Sequence, residues 1–111
     1  MGLFDKLFKK AFESITPEQA KELSDQGAYF IDVREPHEYK TGHAPSAVNV
    51  PLGSLDRRLG TIPKERDILV ICQSGARSAS ACSMLSRAGY KVYNVKGGTM
   101  NWRRSGQRIS K

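Results

Sequence analysis

The chain contains few of the residues from which disulfide frameworks and metal sites are built. Its 111 residues include two cysteines, Cys72 and Cys82, and two histidines, His37 and His43. Two cysteines cannot form a disulfide framework, and the spacing of these four residues matches no zinc-site pattern. We therefore expect no metal, no cofactor and a reducing, cytoplasmic location. In that compartment one cysteine is available as a catalytic thiol.

Long apolar runs are also absent, which excludes a membrane-spanning helix, since such a helix needs about 20 consecutive apolar residues. Charges at Asp5 and Lys6 interrupt the stretch where a secretion signal requires an apolar segment. Hydrophobic residues make up 39% of the chain and charged residues 26%. This composition excludes disordered, collagen-like and coiled-coil proteins, and the length fits one domain with a single core.

Positive charge is in excess. Eighteen Lys and Arg against eleven Asp and Glu give a formal net charge of +7. A basic surface attracts anions, such as nucleic acid, anionic lipid or a small anionic substrate. Because no zinc-finger spacing or aromatic nucleic-acid motif accompanies the charges, we expect no nucleic-acid partner. A small anionic substrate and a merely solubilising basic surface both stay open.

Residues 1–14 are predicted to form an amphipathic helix in front of the main domain. Apolar residues recur there at helical spacing, among them Phe4, Phe8 and Phe12, while lysines lie on other faces. An apolar stripe of this kind must be covered by something. Its own domain, a membrane surface and a partner protein are the three candidates, and the sequence leaves them open.

Residues 15–111 are predicted to form one α/β domain with a mostly parallel sheet, because strands and helices alternate along them. A helix is expected to begin at Thr16 and Pro17, which match the N-cap and first-turn preferences, and to run to about Asp25. The other predicted helices cover residues 54–59, 77–88 and 100–104. The predicted strands cover residues 28–33, 47–50, 67–71 and 91–95. Residues 34–45 are predicted to be a loop.

The segment 68–78 is the most informative part of the sequence. An apolar strand ends at Cys72, a short loop containing Gly75 follows, and a helix begins at about Arg77. Ligands of open α/β sheets bind outside the carboxyl ends of the strands, so the thiol lies where such folds place their sites. The N–H groups of the loop and of the helix start can form an anion cradle that favours a thiolate. Cys72 is therefore predicted to be a nucleophile.

Residues 72–78, Cys-Gln-Ser-Gly-Ala-Arg-Ser, resemble the active-site loop Cys-x-x-Gly-x-Arg-Ser/Thr of rhodanese-like sulfurtransferases. The resemblance continues, in the same order as in that family, through residues 15–20, 30–35, 38–39, 42–44, 47–51 and 97–102. It implies a rhodanese-like domain, with a central five-stranded sheet flanked by helices. It also implies transfer of a sulfane sulfur, through a Cys72 persulfide, from a small anionic donor or a protein persulfide donor to a thiol or cyanide acceptor.

The resemblance further implies the roles of individual residues. Cys72 would be the catalytic nucleophile, and backbone amides of the loop would surround the outer sulfur of the persulfide: those of Gln73, Ser74, Gly75, Ala76, Arg77 and Ser78. Arg77 would close the loop, and would bind the donor or pair with a carboxylate. Asp32 is its expected partner, with Arg34 nearby. Many thiosulfate-using members have a basic residue where this chain has Gln73, which weakens the inference to thiosulfate as donor.

Two other functions stay open at the level of the sequence. A Cys-dependent phosphatase or arsenate reductase uses the same kind of cradle, but the tyrosine phosphatase loop has five residues between Cys and Arg, against four between Cys72 and Arg77. A non-catalytic rhodanese-like binding module is the other alternative, although Cys72 is present. Cys82 is expected to pack in the core rather than to act as a resolving thiol. His37 and His43 are expected at the surface or bracing the loop.

Overall fold

The computed structural model describes residues 11–111, which fold around a single parallel sheet. Its five strands are β1 (Glu13–Ile15), β2 (Tyr29–Asp32), β3 (Val48–Asn49), β4 (Ile68–Ile71) and β5 (Val92–Val95). They lie in the order β1-β5-β4-β2-β3, and each neighbouring pair is parallel. The predicted α/β class with a five-stranded parallel sheet is therefore confirmed.

Helices connect the strands. Within residues 11–111 the α-helices are α1 (Pro17–Asp25), α2 (Pro36–Lys40), α3 (Ala76–Arg87) and α4 (Gly98–Arg104). The predicted helix over 54–59 is replaced by two 3₁₀ helices, Leu52–Ser54 and Asp56–Thr61. Helix α1 begins as predicted. The Gln19 N–H donates to the Thr16 hydroxyl, and the Thr16 N–H donates to the Gln19 side chain.

The predicted loop over 34–45 contains a helix, α2. Pro36 occupies its first turn, and the N–H of Glu35 donates to the carboxylate of Glu38 at 3.0 Å. A proline at the first helical position with an acidic residue shortly after it is a helix-start signal. The charged residues, prolines and glycine around it favoured a loop. The helix matters to the site because it carries Glu38.

The structure describes only the last residues of the predicted N-terminal helix. Residues 1–10, with the apolar stripe through Phe4 and Phe8, lie outside the described residues. Glu13 and Ser14, predicted to end the helix, lie instead in β1, which pairs with β5. Phe12 packs against the buried core. The sheet domain therefore begins no later than Glu13, because the sheet provides hydrogen-bond partners for this backbone.

Both faces of the sheet are covered. On one face Ile31 and its neighbours pack with Cys82 of α3, and on the other Phe30 contacts Trp102 of α4 edge-to-face, with 5.7 Å between ring centroids. All four residues of β4 are buried, as expected for a central parallel strand. This strand delivers Cys72 to the carboxyl edge of the sheet. Among residues 11–111, no helix combines the length and apolarity that a membrane span needs.

Candidate active site at the carboxyl end of the central strand

Cys72 lies directly after β4, and its side chain is buried under the loop that follows. The loop ends at Gly75, the N-cap of α3, whose φ of 114° is in the left-handed region that favours glycine. This conformation turns the chain sharply from strand into helix. The N-terminus of α3, with its unpaired N–H groups and positive dipole end, is thereby brought against the sulfur.

Several hydrogen bonds converge on the Cys72 sulfur. The Gly75 N–H donates to it at 3.0 Å, and the Ser78 hydroxyl oxygen lies 3.3 Å from it. Burial acts to raise the pKa of Cys72, but these hydrogen bonds favour the charged form and together lower the pKa below its ordinary value. The arrangement therefore favours the thiolate form of Cys72.

The opposite side of the loop is attached to α4. The Thr99 N–H and hydroxyl both donate to the Cys72 carbonyl, at 2.8 and 3.0 Å, and the Met100 N–H donates to the Gln73 carbonyl at 3.2 Å. Because the C=O and N–H of a peptide unit point in opposite directions, anchoring these carbonyls on α4 turns the N–H groups that follow them away from α4. Gly98 permits the approach, since a Cβ there would lie 2.5 Å from the Gln73 carbonyl.

Arg77 is paired with Glu38 of α2, and the expectation that it pairs with Asp32 is wrong. Its two terminal nitrogens donate to the two Glu38 oxygens at 2.7 and 2.9 Å, a bidentate geometry. The hydrogen bond from Arg77 lowers the pKa of Glu38 to about 2, and the same bond raises the pKa of Arg77. The sequence did not indicate this contact, because Glu38 falls within the segment predicted to be a loop.

Asp32 does not pair with Arg77, because it already forms an ion pair with Arg34. The Asp32–Arg34 ion pair, 2.9 Å between Oδ2 and Nη2, is almost completely buried at the end of β2. Arg34 also donates to the Gly42 carbonyl at 2.8 Å and to the Gln73 side-chain oxygen at 3.4 Å. This pair reaches the loop only through the side chain of Gln73, so the structure brings Asp32 and Arg34 beside the predicted site but away from the sulfur.

Asn94 is a buried polar residue next to the site that the sequence did not single out. The Ser78 hydroxyl oxygen lies 2.5 Å from the Asn94 side-chain oxygen, so a contact chain runs from Asn94 through Ser78 to Cys72. Asn94 lies in β5, in register with Val70 of β4. Its one signal in the sequence is an amide in the middle of an otherwise apolar and aromatic strand, where a buried polar group needs partners.

The remaining candidates lie outside the contact chain. Cys82 of α3 is fully buried in the core, and burial, with the charge on Cys72 adding to it, raises its pKa to about 12. His37 is exposed on α2, while His43 stacks on Tyr39 and its Nδ1 lies 2.9 Å from the Tyr39 carbonyl oxygen. Within residues 11–111, no three His, Cys, Asp or Glu side chains are grouped so that they could hold a metal ion.

Known proteins share this sequence pattern and fold. Residues 16–105 match the family described as "Rhodanese-like domain". The putative sulfurtransferase YtwF of Bacillus subtilis (strain 168) is 39% identical over 79 residues, which cover 71% of this chain and 77% of that protein. The thiosulfate sulfurtransferase GlpE of Pseudomonas syringae pv. syringae (strain B728a) is 36% identical over 93 residues, covering 83% of this chain and 88% of that protein. The crystal structure of reduced Bacillus anthracis CoADR-RHD superposes with a TM-score of 0.86 at 36% identity, covering 91% of this chain but 18% of that longer chain.

Proposed function

The chain belongs to the rhodanese-like domain family, and from this membership we propose that it is a sulfurtransferase that carries sulfur as a persulfide on Cys72. The observation that supports this most directly is the hydrogen bond that the Gly75 N–H donates to the Cys72 sulfur at 3.0 Å, with the Ser78 hydroxyl oxygen 3.3 Å from the same atom. A thiolate stabilised in this way is the nucleophile that sulfur transfer requires. Relatives named as sulfurtransferases, aligned over most of their length, support the same activity.

The proposed reaction has two displacement steps. In the first, the Cys72 thiolate attacks the sulfane sulfur of the donor. A new S–S bond forms, and the donor's bond to that sulfur breaks with its electron pair leaving on the donor. In the second, a thiolate or cyanide attacks the outer sulfur, and Cys72 leaves as a thiolate. The loop N–H groups stabilise negative charge in both steps because they are already oriented toward it.

The contacts of Arg77 favour sulfur over a phosphate or arsenate. Those oxyanions spread their charge over several oxygens and need a wide ring of donors, whereas a persulfide ends in one charged atom. The loop between Cys72 and Arg77 has four residues, and the Arg77 guanidinium uses both terminal nitrogens on Glu38. It is directed to α2 rather than offered to an oxyanion. The phosphatase and arsenate reductase alternative is therefore the weaker one.

The donor we favour is a persulfide of a small thiol or of a protein rather than thiosulfate. Thiosulfate is a dianion, and its binding favours uncommitted cationic side chains. Both arginines of the predicted site are paired with carboxylates, Arg77 with Glu38 and Arg34 with Asp32, and residue 73 is glutamine. A persulfide carries a single charge, which the backbone N–H groups of the loop suffice to stabilise.

Mass spectrometry of peptides from the treated protein tests this proposal. The protein is incubated separately with thiosulfate, with cysteine persulfide, and with a cysteine desulfurase and cysteine, and then digested. We expect one additional sulfur atom on Cys72, most completely with the two persulfide sources, and its loss when cyanide is added. Cys82→Ala is the matched control and should gain the same sulfur, whereas Cys72→Ser should not.

Parallel assays distinguish the alternatives. A protein that hydrolyses an aryl phosphate and never gains sulfur would contradict the sulfurtransferase proposal. A protein that does neither would favour the non-catalytic binding module. Faster loading from thiosulfate than from both persulfide sources would contradict the donor preference while leaving the persulfide chemistry in place.

A further inference from the structure

Charge is divided unevenly along the chain. All eleven Asp and Glu fall within residues 1–67, whereas residues 68–111 contain eight Lys and Arg and no acidic residue. The net charge of +7 therefore comes entirely from the part of the chain that forms β4, α3, β5 and α4. Five of the eight follow β5: Lys96, Arg103, Arg104, Arg108 and Lys111. Charges of one sign gathered in one region attract partners of the opposite sign.

The basic segment after β5 borders the proposed site. The strand that ends at Cys72, β4, lies between β2 and β5 in the sheet. On the β2 side, residues 35–58 carry three acidic and three basic side chains, so their charges balance. On the β5 side, Gly97 lies against the loop 72–78, since a Cβ on Gly75 would be 3.7 Å from the Gly97 nitrogen. Lys96 precedes this contact and α4 follows it, so this side of the site contributes only positive charge.

Helix α4 presents a basic face with an apolar residue on it. Met100, Arg103 and Arg104 are exposed, whereas Thr99 and Trp102 are buried. Residues three and four positions apart on a helix are neighbours on its surface, so the two arginines lie beside Met100. We call the exposed residues Lys96, Met100, Arg103 and Arg104 the α4 surface.

The charges of the α4 surface are not neutralised by the domain. None of the three ion pairs among residues 11–111 includes Lys96, Arg103 or Arg104. Glu18, at the start of α1 beyond β1, forms no ion pair with Lys96. The Arg103 guanidinium donates to the Thr41 carbonyl at 3.3 Å, which orients it but leaves its charge unbalanced. These cations differ in this respect from both arginines of the predicted site, which are paired with carboxylates.

Met100 places apolar surface next to the loop. Its backbone N–H donates to the Gln73 carbonyl at 3.2 Å, so its position relative to the loop is fixed. Its side chain is 47% exposed, more than any other large hydrophobic side chain among the described residues. The exposed residues of the loop itself, Gln73, Ser74 and Ala76, are uncharged. Attraction of a charged partner to this side of the loop therefore falls to the α4 surface.

We propose that the α4 surface is the docking site of an acidic protein that carries a persulfide and delivers its sulfur to Cys72, an inference that rests on the proposed function. A small donor bound at the sulfur does not extend along α4, whereas a protein covers the loop and the helix together. Exposed methionine and arginine are typical of protein interfaces. Single-stranded nucleic acid favours exposed aromatic side chains, and the aromatic residue of α4, Trp102, is buried.

The test compares three persulfide donors: cysteine persulfide, a glutamate-rich peptide with one cysteine persulfide, and the same peptide with lysine in place of each glutamate. The Cys72 thiolate attacks the outer sulfur, and the peptide leaves as its thiolate. Mass spectrometry follows the loading of Cys72, and each rate is divided by that donor's rate with 2-mercaptoethanol to remove intrinsic reactivity. We expect the glutamate peptide to load about tenfold faster than the lysine peptide at low ionic strength, with the ratio falling as salt is added.

Matched variants locate the effect. Lys96→Gln with Arg104→Gln should slow loading from the glutamate peptide about threefold to tenfold, and loading from cysteine persulfide less than about twofold. Arg87→Gln with Lys91→Gln removes the same charge at the opposite edge of the sheet, where α3 ends and β5 begins, and should change neither rate by more than about twofold. Met100→Gln should slow loading from the glutamate peptide without changing its salt dependence.

Equal normalised rates for the two peptides, or equal losses in the two double variants, would overturn the proposal. Fluorescein-labelled single-stranded RNA gives a further comparison. If the parent protein bound it, Lys96→Gln with Arg104→Gln abolished the binding and the peptides showed no preference, the surface would belong to nucleic acid instead. If cysteine persulfide also fails to load Cys72, the proposed function fails. Fluorescence anisotropy with both peptides, carrying serine in place of cysteine, then decides the docking proposal separately.

Discussion

Arg77 and Glu38 are joined by two parallel N–H···O bonds of 2.7 and 2.9 Å, which link the first turn of α3 to helix α2. The two residues are 39 positions apart in the chain, and their side chains are 37% and 26% exposed. The pair therefore lies at the rim of the site, half in solvent. It turns the guanidinium toward the protein, so Arg77 acts on the loop by fastening it rather than by presenting a free charge.

Removing either partner of this pair should have the same effect. Arg77→Ala and Glu38→Gln are each expected to lower the free energy of unfolding by about 1 kcal/mol, since a half-exposed ion pair is worth little more. Arg77→Lys should retain only part of this stability, because lysine lacks the planar guanidinium that donates to both Glu38 oxygens. Urea unfolding gives the stabilities. If Arg77 instead bound the donor, Glu38→Gln would free it and lower the donor KM, which we do not expect.

Acid should weaken the protein in part through Glu38. Its pKa is about 2 in the folded state, against an ordinary value of 4.5, so the folded protein holds this proton less tightly than the unfolded chain. The contribution is complete above about pH 5 and is lost as the pH falls through 4.5 toward 2. Glu38→Gln should therefore flatten the stability profile in that window. Denaturant midpoints measured across that pH window test this. If the stability of Glu38→Gln fell with acid as steeply as that of the parent protein, the assignment to Glu38 would be contradicted.

The two cysteines should differ sharply in reactivity. Hydrogen bonds lower the pKa of Cys72 despite its burial, whereas burial raises that of Cys82 to about 12. Near neutral pH we expect iodoacetamide to label Cys72 in the folded protein and to leave Cys82 unlabelled until the protein unfolds. Peptide mapping after a timed reaction measures both. Faster labelling of Cys82 than of Cys72 would mean that the loop does not stabilise the thiolate.

Gly98→Ala should displace the loop 72–78 from α4, to which its carbonyls are hydrogen-bonded. The added Cβ would lie 2.5 Å from the Gln73 carbonyl and 2.6 Å from that of Cys72, at a φ of +61° that also strains alanine. We expect a loss of about 1–3 kcal/mol in stability and a fall in sulfur transfer of about tenfold or more. Gly53→Ala is the matched control, because a Cβ there meets nothing within 4 Å. Equal behaviour of the two variants would show that the approach of α4 is dispensable.

Much of this protein follows from local patterns in its sequence. The run 68–71 is apolar on both faces, as a central parallel strand must be, so its position and the placement of Cys72 at its end were predictable. The same holds for the start of α1 at Thr16, where a capping box satisfies the first N–H groups. These features depend on residues within a few positions of one another, so the sequence determines them by itself.

The partners of the loop 72–78 were decided only by the tertiary structure. Glu38, Asn94 and Thr99 are brought to residues 72–78 because the carboxyl ends of β2, β4 and β5 lie side by side in the parallel sheet. No local rule states which carboxylate Arg77 meets, and the nearer-looking candidate, Asp32, is occupied by Arg34. Sequence spacing carries no information about such contacts, since they form only when separate segments pack together and each buried charge or polar group takes the partner that packing leaves within reach.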